Sequence, residues 1–177
     1  PVIFCSSHSY IDQKRFKPER MVKKMGSSEM AEIYDKYKNA VYRTAFTMCK
    51  NASDAEDITQ EVFLKRFTCN TSFESDEHEK AWLLRVTANK CKDLFRLMFR
   101  KHVSLEDADI IYETPEESMV YHAVMELPAG YRIVIHLYYY EGYSGKEIGQ
   151  ITEQSETTVQ TKLYRARQKL KKKINWF

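Results

Sequence analysis

Gln160, Thr161, Tyr164 and Arg165 are spaced so that a helix would bring all four onto one face. Their chemistry suits the edges of base pairs. Gln and Arg can bond a base bidentately, and a Thr methyl or Tyr ring can meet a thymine methyl. Lys162, Arg167 and Lys169 interleave with them and can reach phosphates. Upstream, Arg85, Asn89, Lys92, Arg96 and Arg100 recur every three or four residues as a basic stripe. Such a stripe can hold a phosphate backbone, and its Asn can read a base.

Other chemistries find little support. Cys5, Cys49, Cys69 and Cys91 lie roughly 20 or more residues apart with no C-x-x-C pair, so buried reduced thiols are expected rather than a disulfide frame. No metal-ligand spacing, Ser/His/Asp grouping or phosphate loop is present, and His122 and His136 are isolated. Asp54, Glu56, Asp57 and Glu61 read as a helix N-terminus favoured by its dipole, not as the metal-binding carboxylates of a nuclease. No cofactor or metal is expected, and the chain is expected not to be an enzyme.

The elements that must position these residues are helical. Five Gly and four Pro in 177 residues, with 43% hydrophobic residues, favour helices joined by short loops over a turn-rich β fold. The longest apolar stretch, Ile133 to Tyr140, is interrupted by His136 and too short to span a bilayer. No leader pattern is seen, and a cytoplasmic location is expected. The net charge of +3 hides blocks. Residues 14–24 and 85–101 each carry six cations against one acid; residues 104–126 carry seven acids and no Lys or Arg; residues 156–173 carry seven cations and one acid. The last two basic blocks, separated by the acidic one, suggest two nucleic-acid-facing modules and a linker.

Helix signals agree. Met30, Ile33, Tyr34, Tyr37, Val41, Ala45 and Met48 trace an amphipathic helix. Ser53-Asp54-Ala55-Glu56 reads as a capping box opening a second helix through Ile58, Val62 and Phe67. The polar stretch from Thr68 to Asp76 leads into a long helix from about Glu79 to Arg100, with Trp82, Leu83, Val86, Leu94 and Leu97 as its buried side. Thr114-Pro115-Glu116-Glu117 is a second capping box, Leu127-Pro128 breaks that helix and starts another, and Gly142 ends it. Ser144-Gly145-Lys146-Glu147 is a third box, and Ser155 can cap the last helix. A short helix, a tight turn and a basic helix docked by Val159, Leu163, Ala166 and Leu170 make a helix-turn-helix.

Residues 54–63 (Asp-Ala-Glu-Asp-Ile-Thr-Gln-Glu-Val-Phe) and 81–89 (Ala-Trp-Leu-Leu-Arg-Val-Thr-Ala-Asn) resemble the second conserved region of bacterial extracytoplasmic-function (ECF) sigma factors. Leu127-Pro128, Glu141-Gly142-Tyr143-Ser144, Glu147-Ile148 and the run from Ser155 to Leu170 resemble their fourth region. The resemblance implies an all-α chain of two small helical domains. Residues 25–101 would form the region 2 domain, 102–117 an acidic linker and 118–177 the region 4 helix-turn-helix, with a basic extension over 1–24 left unassigned.

The function implied is promoter-specific initiation with core RNA polymerase. Asp57, Gln60, Glu61 and Leu64 would face the β′ clamp, and the fourth region the β flap. Arg85, Asn89, Lys92 and Arg96 would bind and help open the minus-ten element. Ser155, Thr157, Thr158, Gln160, Thr161, Lys162, Tyr164, Arg165 and Arg167 would bind the minus-thirty-five element. An anti-sigma factor is a further implied partner. A sigma-like decoy or a LuxR-type regulator would share the helix-turn-helix but should carry a βα receiver, and residues 30–100 show no β pattern. One departure is local: Glu153 and Gln154 occupy turn positions where the family commonly has Gly and an apolar residue. A Glu there calls for a negative φ.

Overall fold

The chain, a computed structural model, is described over residues 26–69, 71–101 and 115–174, without the side chains of 100–101 and 115–118. The extension over 1–24, most of the acidic linker, Cys5, the Thr114 cap and the Arg100 side chain lie outside the described residues.

Seven α-helices follow one another among the described residues: α1 Ser27–Cys49, α2 Ala52–Thr68, α3 Asp76–Lys101, α4 Pro115–Met125, α5 Ala129–Ile135, α6 Gly145–Thr152 and α7 Glu156–Ile174. A π-helical turn, His136–Tyr140, continues α5. The caps are local chemistry. Ser144 and Glu147 form the expected capping box, each side chain bonding the other's backbone N–H. The Ser155 hydroxyl accepts the Thr158 N–H at 3.2 Å and opens α7.

The box expected at Ser53 does not form. Lys50 ends α1 in the left-handed conformation, and Asn51, extended beside it, accepts the Asp54 N–H at 3.0 Å, so α2 begins earlier. The α1–α2 link is too tight to leave Ser53 outside the helix.

Helices α1 to α3 bury Val41, Ala45, Val62, Leu83 and Leu84, while α4 to α7 bury Leu127, Val134, Leu137, Ile148, Val159 and Leu163. Leu97, expected inside, is 52% exposed, because α3 runs on beyond the helices that cover its earlier turns. Cys49 and Cys91 are buried free thiols with sulfurs 3.6 Å apart; their hydrogen bond, then burial, push the Cys91 thiol up and keep it protonated. Cys69, by contrast, is half-buried rather than buried.

The two helical clusters pack on each other: α5 and the π-helical turn meet α1, and α6 meets α3. Arg132, buried at 5% exposure, spans this seam. Its guanidinium donates to the carbonyls of Thr47 and Met48 at the end of α1 and of Met125 and Leu127 at the end of α4. Those are carbonyls a helix end leaves without intrahelical partners. His136 Nε2 lies 3.1 Å from the buried Thr44 hydroxyl, and Lys80 pairs with Glu141 at 2.6 Å.

Candidate nucleic-acid interface

Helix α7 is held by one face and offers the other. Val159, Leu163 and Ala166 are fully buried, which turns Thr157, Gln160, Thr161, Tyr164 and Arg165 to solvent along the first three turns. Tyr164 is 63% exposed, a large aromatic surface with no core function. The remaining residues expected here are less free. Lys162 is half-buried and donates to the Gln154 side chain at 2.5 Å. Arg167 folds back on the π-helical turn, donating to the Tyr139 hydroxyl at 2.9 Å and lying over the Tyr138 and Tyr139 rings. Ser155 and Thr158 share a hydroxyl–hydroxyl bond of 2.7 Å at the helix start.

The turn before α7 departs from expectation. Glu153 adopts φ 59° and ψ 46°, the left-handed region, where a side chain costs about 1–2 kcal/mol relative to glycine. The close approach in this turn is met by a different glycine. A Cβ on Gly149 would lie 2.7 Å from the Gln154 carbonyl oxygen, so only glycine leaves room there.

On α3 the stripe forms, but three of its four described members face the other cluster. Arg85 Nη2 donates to Glu153 Oε1 at 2.8 Å and Asn89 Nδ2 to the same oxygen at 3.3 Å. Lys92 Nζ donates to the Thr152 carbonyl at 2.9 Å and lies 3.9 Å from Glu153 Oε2. Burial pushes Glu153 up, but the Arg85 and Asn89 hydrogen bonds and the charges of Arg85 and Lys92 outweigh it and leave the carboxyl below its ordinary value. Burial lowers Lys92. Arg96 stays exposed and pairs with Asp93 on its own helix.

The loop before α3 is tethered to the same helices. Arg66 pairs with Glu79 at 2.5 Å, both buried, and its guanidinium lies over the Phe73 ring, which packs edge-on against Trp82. On α2, Asp57, Gln60, Glu61 and Leu64 are all exposed on one face, Leu64 at 63%. Glu61 also reaches Lys90 at 2.5 Å.

The chain matches the Sigma-70 region 2 family over residues 33–97 and the Sigma-70, region 4 family over residues 117–170. It is 30% identical over 184 residues to the ECF RNA polymerase sigma factor SigW of Bacillus subtilis, covering 92% of this chain and 96% of that one. The chain belongs to the ECF sigma factors. The SigM sigma factor of the same bacterium is 33% identical, over 81% of this chain and 94% of its own. Among solved structures, the fold is similar to that of the sigma factor RpoE in complex with the anti-sigma factor NepR from Bartonella quintana. That match has a TM-score of 0.73 at 22% identity, over 84% of this chain and 98% of that one. CnrH in complex with the cytosolic domain of CnrY is similar at a TM-score of 0.62 and 24% identity, over 85% and 90%.

This sigma factor binds core RNA polymerase and directs promoter recognition; a decoy or LuxR-type regulator is not favoured. Reading the residues in isolation missed Glu153, Arg132 and His136 as partners across the seam. Only Glu153 carried a signal, as an acid in a turn where the family commonly has glycine.

Proposed function

We propose that this sigma factor engages promoter DNA through two surfaces and polymerase through a third. Residues 25–101 would form the minus-ten and core-binding domain, 102–117 the linker and 118–177 the minus-thirty-five domain. The observation that carries the reading is the split of α7. Val159, Leu163 and Ala166 are fully buried, so Gln160, Thr161, Tyr164 and Arg165 project from the helix's N-terminal half, the part that enters a major groove in a helix-turn-helix. Arg85, Asn89, Lys92 and Arg96 would serve the minus-ten element, where a base leaves the stack at a cost of a few kcal/mol repaid by pocket and phosphate contacts. Asp57, Gln60, Glu61 and Leu64 would meet the β′ clamp, and the α4–α7 cluster the β flap.

The protein acts by binding rather than by covalent chemistry, and in the cytoplasm where its polymerase is. Among the described residues, no helix is long and apolar enough to cross a membrane. The relatives RpoE and CnrH are complexed with NepR and CnrY, and a corresponding anti-sigma factor is expected for this chain. The test is to add the protein to core polymerase and map transcripts from genomic DNA. Initiation at promoters sharing upstream and minus-ten elements supports the reading, and core binding without initiation from any promoter overturns it.

A further inference from the structure

The α3 stripe and the α6–α7 turn meet through one carboxylate. Glu153 Oε1 accepts from both Arg85 and Asn89, its Oε2 lies beside Lys92, and Lys92 also bonds the adjacent Thr152 carbonyl. Two cations and an amide converging on an anion are what a phosphate or a base edge would otherwise find on this face. A second, independent observation concerns the backbone. Glu153 is held in a left-handed conformation, where glycine would be free of steric cost, and that conformation sends its carboxylate to α3. The guanidinium is also left with an unused donor: Arg85 Nε is buried and without a hydrogen-bond partner. It borders a cleft of about 380 Å³ whose lining includes Lys146, Gln150, Gln154 and a second acid, Glu156, beside Glu153.

We infer that Glu153 is an internal stand-in for nucleic acid, a latch that closes the α6–α7 turn over the α3 stripe and masks it in the free protein. The inference rests on the proposed role of the stripe in binding the minus-ten strand. The latch is suited to release. The Glu153 side chain is 43% exposed, and an ion pair that wet is weak and salt-sensitive. Polymerase drawing the two clusters apart, or a DNA strand supplying several phosphates at once, can displace it. Release bares the α3 stripe, while the α7 face is exposed already.

The test uses the full chain and a short fluorescein-labelled single-stranded DNA of random sequence, with anisotropy titrations at several salt concentrations and small-angle scattering of the free protein. Glu153→Lys places a third cation beside Arg85 and Lys92. It should tighten binding by about tenfold and steepen the salt dependence by about one to two released counterions, with the radius of gyration unchanged because Arg132 still holds the seam. Glu153→Gln should move affinity the same way by a smaller factor. Glu29→Gln changes net charge as much as Glu153→Gln and should stay within about twofold of wild type, since Glu29 is exposed in the first turn of α1 and does not line the cleft beside Arg85.

Glu153→Lys and Glu153→Gln binding as wild type does, while Arg85→Ala still impairs minus-ten opening by the holoenzyme, would overturn the latch and leave the stripe's role standing. Arg85→Ala having no effect in the Glu153→Lys background or in the holoenzyme would remove the stripe's role and the latch with it. A gain with Glu29→Gln equal to that with Glu153→Gln would reduce the effect to net charge and also overturn the latch.

Discussion

Arg132 Nη2 donates to the Met48 carbonyl at 2.6 Å, so a side chain of the α4–α7 cluster caps the last turn of the opposite cluster's first helix. Hydrogen bonds from a charged donor contribute about 1.5–3 kcal/mol each, and a buried carbonyl left unpaired costs about 1–3 kcal/mol. Arg132 serves four carbonyls from two helix ends. Arg132→Met should therefore lower stability by about 3 kcal/mol or more in urea unfolding. Arg132→Lys should recover only part, because an ammonium cannot spread donors over a planar fork. A loss below 1 kcal/mol in Arg132→Met would show that water replaces these bonds.

His136 makes the seam sensitive to acid. Burial holds its imidazole well below the usual range, at about 4, with Glu141 opposing and Arg43 and Lys80 reinforcing the shift. The unfolded chain therefore binds a proton that the folded chain refuses, and stability is full above pH 6.5 and falls as pH drops from 6.5 towards 4. The whole fall is about 3 kcal/mol by linkage. Between pH 6.5 and about 5 it should be separable from Glu153, whose depressed carboxyl holds its contribution down to lower pH. His136→Gln, which can keep a bond to Thr44, should flatten the profile in that window. An unchanged slope in thermal melts would place the acid sensitivity elsewhere.

The Glu153 turn can be taken apart by two substitutions. Glu153→Ala keeps the left-handed strain and removes the carboxylate; Glu153→Gly removes both. Glu153→Ala should lie a few tenths to about 1 kcal/mol below wild type, the scale of an exposed ion pair. Glu153→Gly should be more stable than Glu153→Ala by about 1 kcal/mol, despite glycine's entropy cost. Equal midpoints for Ala and Gly in chemical unfolding would mean that the left-handed conformation costs little here.

How much of this was legible follows from the range of each interaction. The Ser144–Glu147 box and the Ser155 cap span three residues, so their geometry is written in the local sequence. The buried stripe of α7 was legible for the same reason, through a 3.6-residue period. Asn51 displaced Ser53 because both residue types cap well and the left-handed Lys50 decided between them. The π-helical turn at His136–Tyr140 has no local signature; it falls where His136 reaches Thr44, 92 residues away in sequence. The masking of Arg85, Asn89 and Lys92 was hidden too, since a cationic stripe reads alike whether it faces water, DNA or a distant carboxylate.

The clamp-facing surface makes a separate prediction. Asp57 and Gln60 are exposed on α2, whose buried side is carried by Ala55, Ile58, Val62 and Phe63. Replacing both with Ala should leave helical content by circular dichroism nearly unchanged and weaken association with core polymerase. Unchanged affinity in a competition assay against a second sigma factor would remove this surface from the interface.

The upstream element offers the sharpest discrimination. Thr157 to Arg167 covers about three turns, long enough for the first half to enter a major groove while Val159 and Leu163 remain docked. Arg165 is exposed and free of the contacts that hold Lys162 to Gln154 and Arg167 to Tyr139. Arg165→Ala should therefore cost about 1–3 kcal/mol of a base or phosphate contact. Lys169→Ala, further along the helix, should weaken binding evenly across sequences or not at all. A promoter library with randomised upstream elements, transcribed by holoenzymes carrying single variants, separates the two. Gln160, Thr161 and Arg165 variants should shift or relax the preferred upstream sequence and leave the minus-ten preference unchanged. If they change the minus-ten preference, or change nothing, α7 does not read the upstream element.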